Sequence, residues 1–285
     1  MTITHGVRAS DGLAALDGPP TLLAEALDRV WTHWAATLGA TPFTGPPLLP
    51  VADLAALDVY RNFPHLALVA GALDVTAGSA RELERQAEAG AFDPVSLRSA
   101  VLALPSSACY AVYLDHRGRA VPEGGELVTV LGQCYREEDH FDGLRRLRAF
   151  RMREVVALGT PEQVDAHLAR SSEFVERLAD ALRLPLERHG ATDPFFDPAG
   201  ERTTFQKIVP VKHEYTYRGT AVASVNTHFT FFGERCEVPL ADGGPAATGC
   251  VGFGVERWLH ALADHFGGSW EAATRAVEGI QVTAG

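Results

Sequence analysis

The sequence has no Cys-x-x-C pair, no uninterrupted apolar run of membrane-spanning length, no internal repeat and no low-complexity linker. The first absence excludes a zinc-finger arrangement for its four cysteines, and the second excludes a transmembrane helix. Without repeats or a linker, no room is expected for a separate appended arm. The stretch Met1 to Arg8 lacks the apolar core of a signal peptide, so a cytoplasmic protein with reduced cysteines is expected. Basic charge is scarce as well. Lys and Arg number 25 against 36 Asp and Glu, a net charge of −11, which excludes the global basic footprint of a protein that neutralises nucleic-acid phosphates. Solubility alone accounts for such an acidic balance.

What is present suits a packed globule. A chain of 285 residues that is 46% hydrophobic supports one large domain. We expect a loose segment over residues 1–20, then a single domain over 21–285 with a helical insertion around 51–100. Apolar spacing from Leu22 to Trp34 predicts a helix over 21–38, followed by an extended, proline-rich stretch over 41–50. Helical runs over 51–59 and 79–89 flank a strand over 63–71. Residues 102–114 read as a strand pair or bent strand with Cys109 in its middle. Strands over 126–136 and 149–158 are joined by a densely charged loop. Thr160 and Pro161 open a helix over 161–184. Strands follow over 204–211, 215–217 and 220–232, with Lys212-His213-Glu214 as a turn, and helices over 255–265 and 269–277 close the chain.

Two stretches carry chemistry. Tyr135-Arg136-Glu137-Glu138, a loop, then Phe150-Arg151 place an arginine fork suited to phosphate at the end of a buried strand; a solvated surface hairpin is the plainer reading. Thr248 to Leu262 runs from a glycine-rich strand into a helix. Its Gly252-x-Gly254 lacks the third glycine and the βαβ unit of a dinucleotide fingerprint. Cys109 and Cys250 lie in strand-like runs and Glu154 ends a third. Two thiolates and a carboxylate would leave one zinc position open to substrate, as in a catalytic rather than a structural site, although a free cysteine is most often a small buried hydrophobe. Cys134 is an alternative ligand and Cys236 the weakest. His228 reads equally as pocket lining or as a hydrogen-bonded structural histidine.

The aromatic-Arg-x-Glu hairpin and the Gly252-x-Gly254-x-x-Arg257 strand-helix resemble motifs 2 and 3 of class II aminoacyl-tRNA synthetases, and the helix and strand over 21–50 resemble motif 1, the dimer-forming element. Ser107-Ala108-Cys109-Tyr110, Arg151 to Glu154 with Gly159-Thr160-Pro161, Asp193-Pro194-Phe195-Phe196, Thr248 to Gly254 and Phe63-Pro64-His65-Leu66 further resemble the amino acid:[carrier protein] ligases, short homologues of the archaeal-type, zinc-dependent seryl-tRNA synthetases. The resemblance spans roughly residues 40–275. It implies an α+β fold, an antiparallel sheet flanked by helices, without a tRNA-binding domain. It also implies zinc on Cys109, Glu154 and Cys250, with the metal gripping the amino acid's α-amine. ATP would be bound by Arg136 at the α-phosphate, Arg257 at the γ-phosphate, Glu138 at the adenine amine, and Phe150. Asn226 and His228 would contact a small amino acid such as glycine or alanine.

The implied activity is adenylation followed by transfer to the phosphopantetheine thiol of a carrier protein, by a homodimer without tRNA or membrane partners. Mg2+ should accompany ATP, yet the strand that carries its glutamate in class II enzymes reads Thr220 to Asn226 here; Glu214 is the nearest acid upstream, its role open. The arginines Arg145, Arg146 and Arg148 of the charged loop meet either the carrier or solvent. Two other readings stand beside this one: an enzyme that charges tRNA, and a non-catalytic paralogue that binds an amino acid.

Overall fold

Side-chain alternation along a few long strands sorts this chain into a sheet with a functional front and a structural back. A computed structural model describes residues 2–4, 6–76, 79–200, 204, 206, 209 and 211–280. Its elements in chain order are β1 (Thr2–Thr4), β2 (Val7–Ser10), β3 (Leu13–Leu16), α1 (Gly18–Thr37), β4 (Thr41–Phe43), β5 (Leu49–Pro50), α2 (Val51–Ala56), α3 (Val59–Asn62), β6 (Leu68–Ala70), α4 (Ala80–Glu88), β7 (Leu102–Leu104), α5 (Cys109–Asp115), β8 (Glu126–Tyr135), β9 (Ala149–Gly159), α6 (Pro161–Leu182), β10 (Glu187–Gly190), β11 (Lys212–Tyr217), β12 (Thr220–Phe229), α7 (Phe231–Arg235), β13 (Ala247–Gly254), α8 (Val255–His265) and α9 (Trp270–Glu278).

Seven strands form the central sheet in the order β10-β11-β12-β13-β9-β8-β4. Every pairing is antiparallel except β4 with β8. Behind the sheet, Val155, Val251, Phe253 and Val225 pack with α1, α6, α8 and α9 in one core. Trp31 stacks on Phe253 with centroids 5.0 Å apart, and Trp34 on Phe174 at 4.2 Å. In front, Val128, Val130, Val156 and Cys250 pack with α5, α7 and the segment around β5 and β7 in a second core. A bidentate pair of Arg153 with Asp28, 2.8 Å on each arm, fastens β9 to α1.

Several local expectations are corrected. The described residues of the start are not loose: β1, β2 and β3 form a small antiparallel sheet, its turn carbonyl Gly12 O accepting from the Arg148 amide. Helix α1 starts at Gly18 because prolines fit a first helical turn. The strand expected over 63–71 is only the short β6, preceded by a 3-10 turn, Pro64–Leu66. The insertion around 51–100 holds one strand, β6, as expected, and it pairs with β7, which in turn pairs with β5, in a third sheet whose other two strands flank the insertion. Cys109 does not lie mid-strand but opens α5, since the chain breaks after β7 at Pro105-Ser106-Ser107. Lys212-His213-Glu214 is the start of β11 rather than a turn; alternation with the buried Tyr215 and Tyr217 outweighs the local charge. Of the strand expected over 204–211, half lies outside the described residues, and Thr204 and Gln206 are helical instead. β12 ends at Phe229 and α7 follows. Helix 255–265 lies where expected, and α9 begins one residue after its cap, Ser269.

Candidate active site

Register assembles the site. Lys212 is opposite Asn226, Asn226 opposite Cys250 and Cys250 opposite Val156. In the neighbouring row Glu214 faces Ser224, Ser224 faces Gly252, and Gly252 faces Glu154. Residues directly opposite share a face, so these two rows tile the front of the sheet. Two further residues along β9, Met152 pairs with Gly132, and Phe150 with Cys134. Gly132 is required there: a Cβ would meet that of Ala108 at 2.6 Å, so only glycine lets the 105–109 segment press onto β8 and deliver Cys109.

Cys109 Sγ, a Glu154 carboxylate oxygen and Cys250 Sγ lie within 4.8 Å of one another, all buried. Ligand atoms about 2.0–2.3 Å from a tetrahedral ion stand roughly 3.3–3.8 Å apart, so the trio fits a metal. One Glu154 oxygen accepts from the amides of Ala108 (2.9 Å) and Cys109 (3.3 Å) and from the Ser107 hydroxyl (3.1 Å). Burial and the charge on Cys250 still push the carboxyl up to about 7, against the pull of those bonds. Cys109 hydrogen-bonds to Cys250 and holds that thiol well below its usual value, helped by His228 and Asn226; the same bond and burial push the Cys109 thiol up. A buried thiolate beside a carboxylate needs a cation, and among the described residues no lysine or arginine contacts Glu154 or Cys250. The residues present therefore fit a divalent metal with softness for sulfur.

Asn226 Nδ2 donates to Cys250 Sγ at 3.6 Å, and His228 Nε2 lies 4.0 Å from the same sulfur. The other ring nitrogen of His228 contacts the Tyr113 hydroxyl at 3.2 Å and that of Thr248 at 3.4 Å. Cys134 is fully buried near the trio but outside it, its thiol pushed up by burial. Cys236 is buried beyond it, at the end of α7.

The trio opens into a cavity of about 450 Å³, walled by Asn226, His228, Phe232 and Phe195. A second, smaller recess contains Glu138, Phe150, Arg257 and Glu214. Arg136, Met152, Lys212, Ser224 and Gly252 line both, which makes them one cleft with a metal-suited end and a cationic end. Arg136 lies over the Phe150 ring, 5.1 Å from its centroid, with Nε and Nη2 on the Ser106 carbonyl. Arg257 donates to the carbonyls of Arg145 (2.9 Å) and Ala221 (3.1 Å), and Glu138 pairs with Arg146 at 2.8 Å. The charged loop 136–148 is thereby drawn over the recess and narrows it.

Lys212 was not among the site residues expected from sequence, and neither was Ser107. The overlooked signal is the alternation of Lys212 and Glu214 with Tyr215 and Tyr217, whose hydroxyls reach Glu176 in α6 and Asp264 in α8 behind the sheet; the charged pair must then face the front.

Comparison with known proteins places this cleft. No protein-family profile matches the sequence. The chain is similar to amino acid–[acyl-carrier-protein] ligase 1 of Bradyrhizobium diazoefficiens, 32% identical over 291 residues that cover 95% of this chain and 86% of that protein. It belongs to the amino acid–[acyl-carrier-protein] ligase family. Ligase 2 of the same organism is 32% identical over 254 residues, 84% of this chain and 74% of that one. A type-2 serine–tRNA ligase from Methanococcus aeolicus is 28% identical over 60% of this ligase-family chain but only 35% of its own length. Among solved structures, M. kandleri seryl-tRNA synthetase aligns with a TM-score of 0.78 at 20% identity, over 95% of this chain and 57% of that one. Naegleria fowleri serine–tRNA ligase in complex with AMP gives 0.71 at 12%, over 97% and 58%. The fold is that of class II aminoacyl-tRNA synthetase catalytic domains, and the protein is a ligase enzyme.

Proposed function

We propose that this ligase activates a small amino acid with ATP and transfers it to the phosphopantetheine thiol of a carrier protein. The observation that carries the reading is the single cleft joining the Cys109–Glu154–Cys250 trio to Arg136 and Arg257. The names of the bacterial relatives support a carrier protein as acceptor.

Cys109, Glu154 and Cys250 would hold zinc, which when bound supplies a Lewis-acidic position for the substrate's α-amine. Asn226 and His228 wall the amino-acid end, and Arg136 stands beside the reacting phosphate. A carboxylate oxygen of the amino acid attacks the α-phosphorus, a new P–O bond forms, and the bond to the β-phosphate bridging oxygen breaks. Pyrophosphate leaves with that electron pair. Negative charge grows on the α-phosphate oxygens, where Arg136 neutralises it in a partly dry site, while Arg257 holds the outgoing end. The pantetheine sulfur then attacks the acyl carbon, the C–O bond to AMP breaks, and the thiol proton passes to solvent. ATP entry requires the Arg257–Arg145 and Glu138–Arg146 contacts to exchange for contacts to the nucleotide. Mg2+ accompanies ATP in this reading, and two copies form a homodimer in the cytoplasm.

Amino-acid-dependent ATP–pyrophosphate exchange across the twenty amino acids, with zinc assayed on the same sample, tests the proposal. Exchange with one small amino acid in zinc-loaded protein supports it; full exchange in zinc-free protein sinks the metal assignment, and no exchange with any amino acid sinks adenylation.

A further inference from the structure

Lys212 stands at the join of the two halves of the cleft. Of the five residues that line both, only Arg136 and Lys212 carry charge. Lys212 starts β11 two strand spacings from Cys250, about 10 Å along the row through Asn226, and its four-carbon stem directs the ammonium over the front of the sheet. Its side chain is 15% exposed, with Nζ 3.0 Å from Asp193 Oδ1 and 3.1 Å from Glu214 Oε1. Two acceptors occupy two of the three ammonium hydrogens. Among the described residues no third acceptor is bonded to it. Asp193 is itself fixed by Gln206, which donates to its carboxylate and accepts from its amide. Burial disfavours the ammonium, but the two carboxylates outweigh it and hold Lys212 charged.

Adenylation brings one anion onto another, a carboxylate onto a phosphate, and this cleft is where they would meet. Arg136 already gives two of its donors to Ser106 O. Lys212 is the second cation at the join between the amine end and the phosphate end. Resting on the function proposed above, we infer that Lys212 is a catalytic residue of adenylation: its third N–H donates to the amino-acid carboxylate, bringing the attacking oxygen to the α-phosphorus. Asp193 and Glu214 are positioning residues that aim it. The proton stays on nitrogen throughout, and the bonds made and broken are those of the adenylation step.

Lys212→Gln keeps a donor for the flanking carboxylates and removes the charge. The expected result is a fall in kcat for pyrophosphate exchange of about 10²–10³, with the KM for ATP within threefold, zinc content unchanged, and transfer from synthetic aminoacyl-adenylate to holo-carrier protein within threefold. Lys212→Arg, which restores charge, recovers part of the loss. Equal slowing of exchange and of transfer would mean a structural role and overturn the inference, as would exchange within threefold of wild type. Should Lys212→Gln be insoluble, Lys212→Gln with Glu214→Gln, which removes one buried anion together with the cation, is read in the same way. If wild-type protein exchanges with an amino acid, a silent Lys212→Gln overturns this inference alone; if wild type exchanges with none, the proposed function falls and the inference with it.

Discussion

At the scale of single residues, Glu154 ties protonation to metal and to stability. Its carboxyl ionises near 4.5 when free and near 7 when folded without metal, so between those values the folded chain binds more protons than the unfolded one. Stability of the metal-free protein then falls as pH rises from about 4.5 to 7, by up to roughly 3 kcal/mol. Metal requires the deprotonated ligands, so zinc affinity runs the other way and strengthens from pH 6 to 8. Chelator-competition titrations and urea unfolding of apo protein across that range check both signs; a flat apo profile contradicts the assigned Glu154 environment. Glu154→Gln removes a ligand charge and the pH effect together, and bound zinc and exchange activity are expected to be lost in parallel. Cys109→Ala is expected to do the same, whereas Cys236→Ala, outside both the trio and the cavity lining, is expected to leave zinc content unchanged.

At the scale of elements, packing of helices behind the sheet can be changed without touching the front. Helix α6 opens with a reciprocal cap in which the Gln163 amide donates to the Thr160 hydroxyl and the Gln163 side chain accepts from the Thr160 amide. Thr160→Ala is expected to cost about 1 kcal/mol, read as a Tm lower by about 2–4 °C, with exchange kinetics unaltered. Gly132→Val acts on the front face: the added side chain displaces the 105–109 segment, and weaker zinc retention on dialysis is expected with the β8–β9 pairing intact.

The elements also show what was legible in the sequence. Strands β8 and β9, helix α6 and the β13–α8 unit could be read because each is long, periodic and bounded by a cap or by glycine. So could the candidate ligands Cys109, Glu154 and Cys250, through the motif-like residues around them. The missed pieces have short-range signals that tertiary packing overrode. The run Cys109 to Leu114, rich in tyrosine, valine and leucine, has strand propensity but packs as α5 against β8; three-residue strands such as β1 lack a period to count; and Lys212 looked like a turn because a charged triplet suits one equally well until Tyr215 and Tyr217 are assigned to the back. The register then sets Lys212 opposite Asn226 on the front of the sheet.

At the scale of the whole molecule, the net charge of −11 bears on the choice of acceptor. Offered holo-carrier protein and tRNA side by side, the enzyme is expected to acylate the carrier and leave tRNA uncharged, as measured by thioester formation and by acid-precipitable aminoacyl-tRNA; efficient tRNA charging would overturn the assigned acceptor. No helix among the described residues is long and apolar enough to cross a membrane.

The strand order has a consequence for synthesis. β9 sits between β8 and β13, and Val155, Val156, Ala157 and Leu158 along it are almost completely buried. The partner on its second edge begins at Ala247, 88 residues after Gly159 (247 − 159). A ribosome adding about 5–20 residues per second needs roughly 4–18 s to make that stretch. Throughout it this largely buried strand of the nascent protein has one edge unpaired, a template for pairing with neighbouring chains on the same message. Nascent chains halted before residue 247 are thus expected to be the aggregation-prone species, and those released with β13, α8 and α9 complete to be soluble.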